Sequence, residues 1–277
     1  MITKTPPPSA HDRRFSLAEA AALVHDGDTL ALGGNMLYRR PVAFVYELLR
    51  RPNPPRGLTL LAFTAAYAAD LLVGAGCLRQ TRTCYFGLEA FGFAPMFTQA
   101  ATRGTLDVLE ETEASLAFGL RATLAGVGFM PSTAWLGTDL LRLRPDVQTV
   151  RDPYSGQELV AFPAVQPDVA VIHALVADRH GNARLNKNLG IDPELAMATP
   201  TVIVTAERVV ERLEADVHIP GPVVTAVVEA PRGAWPTSCY PQYPIAGGEL
   251  LRYVEMCAED RFGAYLQDVL ERGAPPA

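Results

Sequence analysis

The chain is short of charge, of paired cysteines and of long apolar runs. Asp, Glu, Lys and Arg make up 19% of its 277 residues, below the roughly one quarter usual for soluble domains. A sizeable part of the surface is therefore expected to lie under another chain. There is no basic block, and the net charge is -6 with an isoelectric point near 5.4. That balance argues against a nucleic-acid partner. No run reaches 18 apolar residues, so no segment is expected to span a membrane. Residues 1–14 are proline-rich and polar and lack the apolar stretch of a signal peptide. Cys77, Cys84, Cys239 and Cys257 form no C-x-x-C pair. They read as free thiols in a reducing cytoplasm.

What is present is a chain 49% hydrophobic, enough for one large α/β domain or two small ones with a full core. Residues 15–272 read as a single domain, flanked by loose ends at 1–14 and 273–277. Ser16 and Glu19 form a capping box that opens a helix from Leu17 to about His25. Thr29–Leu32 is a short apolar strand followed by Gly33-Gly34, where positive φ and close backbone approach are tolerated. Pro41 then suits the first turn of a helix. Further strands are expected at Leu58–Phe63, Thr81–Phe86, Thr105–Leu109, Leu159–Val165, Val169–Val176, Thr201–Thr205 and Val223–Val228. Between them, helices are expected over Ala65–Val73, Phe91–Ala101 and Ser115–Gly126. Asp192-Pro193-Glu194 caps a short one, and Gly248–Arg272 forms one long C-terminal helix. Gly128–Gln157 reads as a long loop, a length that is usually functional. Strands alternating with helices predict an open, doubly wound, mostly parallel sheet.

Several residues invite a chemical reading. Glu110, Glu111 and Glu113 form the one acidic cluster at a predicted strand end. Such a cluster holds either a base with a raised pKa or acids favoured at a helix N-terminus. Arg39 and Arg40 suit bidentate recognition of a substrate carboxylate, or else form a solvated pair at a helix start. His173, inside an apolar strand, reads as a hydrogen-bonded core histidine rather than a base. With Asp178 and His180 it lacks the spacing of a zinc site. Cys84 and Cys239 lack a neighbouring base and read as structural. Phe129, Met130 and Trp135 either line an apolar pocket or form a flap against a second chain.

The ordered blocks Ser16–Ala20, Gly27-Asp28, Leu32-Gly33-Gly34 and Arg39-Arg40-Pro41 resemble the A (α) subunit of class I coenzyme A transferases, glutaconate CoA-transferase type. Four later blocks extend the likeness to about Cys257: Gly128–Pro131 with Leu136–Asp139; Val169–Ala174 with Asp178 and Gly181-Asn182; Ile219–Gly221; and Val227–Thr237. The resemblance implies the CoA-transferase fold, akin to sugar-phosphate isomerases. It also implies a homologous B subunit, commonly in an A2B2 heterotetramer. The nucleophilic glutamate then lies on B, the active site lies between the chains, and no cofactor is bound beyond the CoA thioester itself as substrate. The reaction implied is transfer of CoA from an acyl-CoA to a carboxylic or dicarboxylic acid, through an anhydride and a glutamyl-CoA thioester. Gly33-Gly34-Asn35 would offer backbone N–H donors to the oxyanions. A hydrolytic branch of the same architecture opens a carbocyclic ring of a CoA thioester with an A-chain glutamate as base. Glu110 or Glu111 falls in the matching place, but where an aromatic residue is expected just after the acid the run here is Glu110-Glu111-Thr112-Glu113. A non-catalytic scaffold role is the third reading.

Overall fold

The computed structural model describes residues 12–274. In chain order its first half comprises α1 (Leu17–Ala21), β1 (Thr29–Leu32), α2 (Val42–Arg50), β2 (Leu58–Ala62), α3 (Tyr67–Gly74), β3 (Leu78–Thr83), α4 (Pro95–Arg103), β4 (Asp107–Glu110) and α5 (Glu113–Ala125). There follow β5 (Phe129–Ser132), α6 (Leu140–Leu143), β6 (Gln148–Arg151), β7 (Glu158–Pro163), β8 (Val169–Ala174), β9 (Val176–Asp178) and β10 (Ala183–Arg184). The last part holds α7 (Asp192–Ala198), β11 (Thr201–Ala206), β12 (Val209–Val210), β13 (Ala226–Glu229), α8 (Gly247–Ala258) and α9 (Phe262–Arg272).

Seven strands form the main sheet in the order β13-β11-β8-β1-β2-β3-β4, and every neighbouring pair is parallel. β2 and β8 are buried at every position, which explains sequences apolar but for Thr59 and His173: helices cover both faces. One face carries Leu30, Leu32, Leu60 and Ala62 against Phe44, Leu48, Leu71, Leu250 and Tyr253. The other carries Ala31, Leu61 and Ala170 against Leu116 and Leu120 of α5 and Leu195 of α7. This is the doubly wound parallel sheet that the strand–helix alternation predicts. Among the described residues, no helix is long and apolar enough to cross a membrane.

Four expectations are corrected. The stretch 128–157 is not a structureless loop: β5 and β6 flank β7 in an antiparallel sheet of their own. Four-residue strands with mixed exposure are too short to show alternation in sequence. The C-terminal helix is two helices, because Asp260 takes positive φ (59°). They fold back on each other, with Arg252–Asp268 at 2.7 Å, Arg272–Glu249 at 3.1 Å and the Tyr253 and Tyr265 rings 4.9 Å apart. The helix expected over Phe91–Ala101 begins at Pro95, since Gly92 at φ 98° breaks it from the 3-10 turn Glu89–Phe91. Finally, the part of the N-terminal end within the described residues is docked rather than loose. Arg14 bridges Val227 in parallel, and the buried Arg13 donates to the carbonyls of Gly221 and Val224. Those contacts cover the otherwise open edge of β13. Residues 1–11 and 275–277 of the expected ends lie outside the described residues.

One buried carboxyl ties three helices together. Asp70 of α3 accepts from the backbone N–H of Met96 (3.2 Å) and Phe97 (2.6 Å) at the start of α4, and from the Tyr253 hydroxyl of α8 (2.6 Å). Burial pushes it up from 3.8 to about 6, against the pull of those three donors. Between these values the folded chain holds the proton more tightly than the unfolded chain does. The stabilisation from this group is therefore complete at low pH and is lost as pH rises through 6, by up to about 3 kcal/mol. Relative to Asp70→Asn, which does not titrate, the wild type should lose stability between pH 4.5 and 7.5 in urea titrations. A gap between the two proteins that stays constant over that range would contradict this.

Candidate active site at the carboxyl rim of the sheet

With all seven strands parallel, their carboxyl ends share one rim. From β1 the chain builds the sheet outward through β2, β3 and β4, then returns to the other side of β1 with β8. The crevice above the ends of β1 and β8 is the switch point, where open α/β sheets bind ligands. The loop entering it is the Gly33–Pro41 segment singled out by the sequence. Gly34 has φ 84°, and a Cβ there would sit 2.5 Å from the Tyr38 carbonyl oxygen. Only glycine fits, because the backbone turns back on itself through mutual Asn35–Tyr38 hydrogen bonds of 3.0 and 2.9 Å.

The loop's polar groups face inward. Arg39 is fully buried and pairs with Asp192 at 2.8 Å. It also donates to Asn186 Oδ1 (3.0 Å), the His173 carbonyl (3.1 Å) and the Asn188 carbonyl (2.6 Å). Arg40, also buried, donates to the carbonyls of Met36, Gly33 and Thr64 and to Thr64 Oγ1. Its burial pulls the guanidinium down to about 10. The two arginines thus hold the loop in place, and neither is the solvated pair or the substrate clamp that the sequence suggested. The backbone donors are likewise committed: Gly33 N–H to Val171 O (2.9 Å), Gly34 N–H to Asp192 (3.0 Å), and Asn35 N–H to Tyr38 O. The expected backbone oxyanion hole at Gly33–Asn35 is therefore not on offer. Gly33 has its own reason to be glycine, since a Cβ would meet Asp192 Oδ1 and Ile172 Cγ1 at 2.9 Å.

What the loop does present is the half-buried side chain of Asn35. Thr64 Oγ1 accepts from Met36 N–H (2.7 Å) and from Arg40 (2.7 Å), so its own hydrogen goes to Asn35 Oδ1 at 3.1 Å. That fixes the amide's orientation and turns Asn35 Nδ2 toward Asn188 Oδ1, 3.1 Å away. Asn188 and Thr64, absent from the sequence reading, complete this crevice. Neither belongs to a motif, and only the fold carries residue 188 to residue 35.

At the end of β4 the two candidate glutamates part company. Glu111 is buried: it pairs with Arg82 (2.6 Å) and Arg144 (3.1 Å) and accepts from Ser115 Oγ (2.6 Å). Arg144 also reaches Asp146 and the Glu110 carbonyl. Through that cluster the β5–β7–β6 sheet is clamped to the rim. Glu110 is exposed, and neither it nor Glu113 has a side-chain partner among the described residues. Cys84 of the same rim donates to the Phe63 carbonyl. Burial, aided by the carboxylates of Glu113 and Glu111, pushes its thiol up to about 11, so at neutral pH it is a poor nucleophile. Phe129 is exposed and Met130 half-buried on β5, and neither shares a hydrogen bond or core cluster with the Asn35 loop. Trp135 is no flap: it is buried edge-on against Phe162, 5.0 Å away, and bonds Thr112 Oγ1.

His173 is fully buried, with Nδ1 2.9 Å from Thr205 Oγ1 and Nε2 2.8 Å from Glu207 Oε1. The structure brings Cys239 to this pair, and the three ligand atoms lie within 4.8 Å of one another. Such donors can in principle hold a metal. Here Glu207 already accepts from the Tyr243 hydroxyl and the Arg232 N–H, and burial pushes the Cys239 thiol well up. The set fits a satisfied internal network with no donor left over for an ion.

A parallel sheet with a polar crevice at its switch point is the arrangement of a ligand-binding α/β protein. The chain belongs to the coenzyme A transferase family, whose model matches residues 14–230. The A subunit of the 3-oxoadipate CoA-transferase of Pseudomonas knackmussii is 34% identical, over 83% of each chain. A cholesterol ring-cleaving hydrolase IpdA subunit of Rhodococcus jostii is 33% identical over 82% of this chain and 80% of its own. Among solved structures, a variant of the decarboxylase AibA/AibB superposes with a TM-score of 0.89 at 34% identity, covering 95% of this chain and 100% of that one. The glutaconate coenzyme A-transferase of Acidaminococcus fermentans does so at 0.86 and 29%, covering 93% and 88%. Three chemistries thus sit on one fold, and the reaction has to be argued from the site.

Proposed function

We propose that this chain is the A subunit of a heteromeric CoA-transferase, moving CoA between an acyl-CoA and a carboxylic acid in a cleft completed by a B subunit. The observation that carries the reading is the match to the A subunit of a CoA-transferase over 83% of both chains. The local chemistry agrees with it. At the rim, Glu111 is locked between arginines, the Cys84 thiol is pushed up, and His173 is sealed in the interior. None of these is an activated nucleophile, which agrees with the family resemblance, by which the attacking carboxylate lies on the partner. Room for that partner is consistent with the exposed edge strand β4 and with Val108, Leu124, Val127 and Phe129, each between 37% and 47% exposed, since apolar surface of this kind marks interaction sites. An A2B2 assembly is the expected stoichiometry.

A second reading, a CoA-thioester C–C hydrolase, draws on the ring-cleaving relative and on the unpartnered carboxylate of Glu110 at the end of β4. Co-expression with the product of the adjacent reading frame, followed by assay of CoA exchange against CoA release, separates the two. Exchange among added acids is expected only when both chains are present. Full exchange by the purified chain on its own would overturn the proposal.

A further inference from the structure

Four arginines around the carboxyl ends of β1 and β4 are committed to protein acceptors, and a lysine nearby is not. Arg39 and Arg40 hold the loop, and Arg82 and Arg144 close on Glu111. That lysine is Lys187. It is exposed and forms no ion pair among the described residues. It lies between two asparagines that grip the same loop: Asn186 accepts from Arg39 Nε at 3.0 Å, and Asn188 accepts from Asn35 Nδ2 at 3.1 Å. The chain has only one other lysine, Lys4.

The amides beside it are also donors in excess. Thr64 takes the carbonyl side of Asn35, and Asn188 Oδ1 takes one Nδ2 hydrogen. The second Nδ2 hydrogen of Asn35 and both of Asn188 have no partner among the described residues. One ammonium and the spare amide N–H groups of Asn35 and Asn188 offer a small planar anion both charge and hydrogen-bond donors. Resting on the CoA-transferase reading, we propose that Lys187, with Asn35 and Asn188, recognises a second carboxylate at the far end of the acyl group or acceptor. Lys187 is then a specificity-determining residue that favours dicarboxylic over monocarboxylic substrates.

The test compares glutarate with valerate as CoA acceptors in the reconstituted A–B complex. In Lys187→Ala the ratio of kcat/KM for glutarate over valerate should fall about 10- to 100-fold, the usual scale for a hydrogen bond to a charged group. Lys187→Arg should restore most of it. An unchanged ratio overturns the proposal, whether both rates fall or neither does. A second source of the same anionic chemistry is CoA's own phosphates. If Lys187 binds those, Lys187→Ala raises KM for CoA esters but not for pantetheine esters, equally for both acids, and the proposal fails. A readout independent of turnover uses this chain labelled with 13Cε-lysine and combined with unlabelled B. The Lys187 signal should shift with glutarate and not with valerate. Should no CoA transfer occur with any acid, the functional reading falls, and this signal alone decides the carboxylate site: an equal response to both acids, or none, overturns it.

Discussion

Replacing Asp192 by alanine is expected to destabilise the folded chain by about 3–5 kcal/mol, the scale for removing one partner of a buried ion pair. Asp192 is 1% exposed and faces Arg39, which is 0% exposed. Without the carboxylate, the guanidinium keeps Asn186, the His173 carbonyl and the Asn188 carbonyl. It loses its only countercharge among the described residues, and Gly34 N–H loses its acceptor. Because Gly34 opens the crevice loop, the same change should displace Asn35 and lower turnover in the reconstituted enzyme. Asp192→Asn, which keeps an acceptor without the charge, should cost less. The double variant Asp192→Leu with Arg39→Met should cost less than the two single changes added together, since no lone charge is then left buried. Urea midpoints of these proteins measure this, and a loss below about 1 kcal/mol for Asp192→Ala would show that the pair is not what holds the loop.

The second large effect separates the glutamates at the end of β4. Glu111→Ala leaves Arg144, 3% exposed in its side chain, with only Asp146 as countercharge. It also leaves Arg82 without an ion pair among the described residues and Ser115 Oγ without the Glu111 acceptor. A loss of about 3 kcal/mol is expected, at the low end of the buried-pair range because Arg82 is partly exposed. Glu110→Gln, on an exposed side chain without a partner, should stay within about 0.5 kcal/mol of the wild type. Turnover then tells the two reactions apart. If the enzyme is a hydrolase with Glu110 as base, Glu110→Gln cuts the rate at least about a hundredfold. If it is a transferase with its nucleophile on B, exchange changes little. A Glu110→Gln protein that is badly destabilised, or a Glu111→Ala protein as stable as the wild type, would reverse the assignment of structural and free carboxylate.

Much of the architecture was legible because it is written in local pattern. The runs Thr29–Leu32, Val169–Ala174 and Thr201–Ala206 are apolar at nearly every position, since a strand covered on both faces needs no polar side. The capping box at Ser16 and Glu19 forms as expected because its partners are three residues apart. Helix α1 then ends at Ala21, well before the expected His25. Gly33-Gly34 marked the loop at the switch point, because tight turns leave a compositional trace. The elements missed had little pattern of their own, among them the short strands β5, β6, β10 and β12, the four-residue α6 and the break at Asp260, and β3 (Leu78–Thr83) starts three residues before the strand expected at Thr81–Phe86.

The chain's sequence alone determined the fold class, the family likeness and the place of the glycine loop, all of which depend on residues close together or on blocks in order. Only the tertiary structure decided which side chains face the crevice. Arginines 39 and 40 resemble surface residues in any local window, yet Asp192 and a ring of carbonyls, supplied mostly from elsewhere in the chain, draw them inside. Glu110 and Glu111 are equal candidates as neighbours in sequence. β4 ends at Glu110, and the carboxylate of Glu111, one residue beyond, is the one that meets Arg82 and Arg144. Burial and partnership are set by contacts between residues tens to hundreds of positions apart, and such contacts leave no periodic or compositional trace in a single sequence.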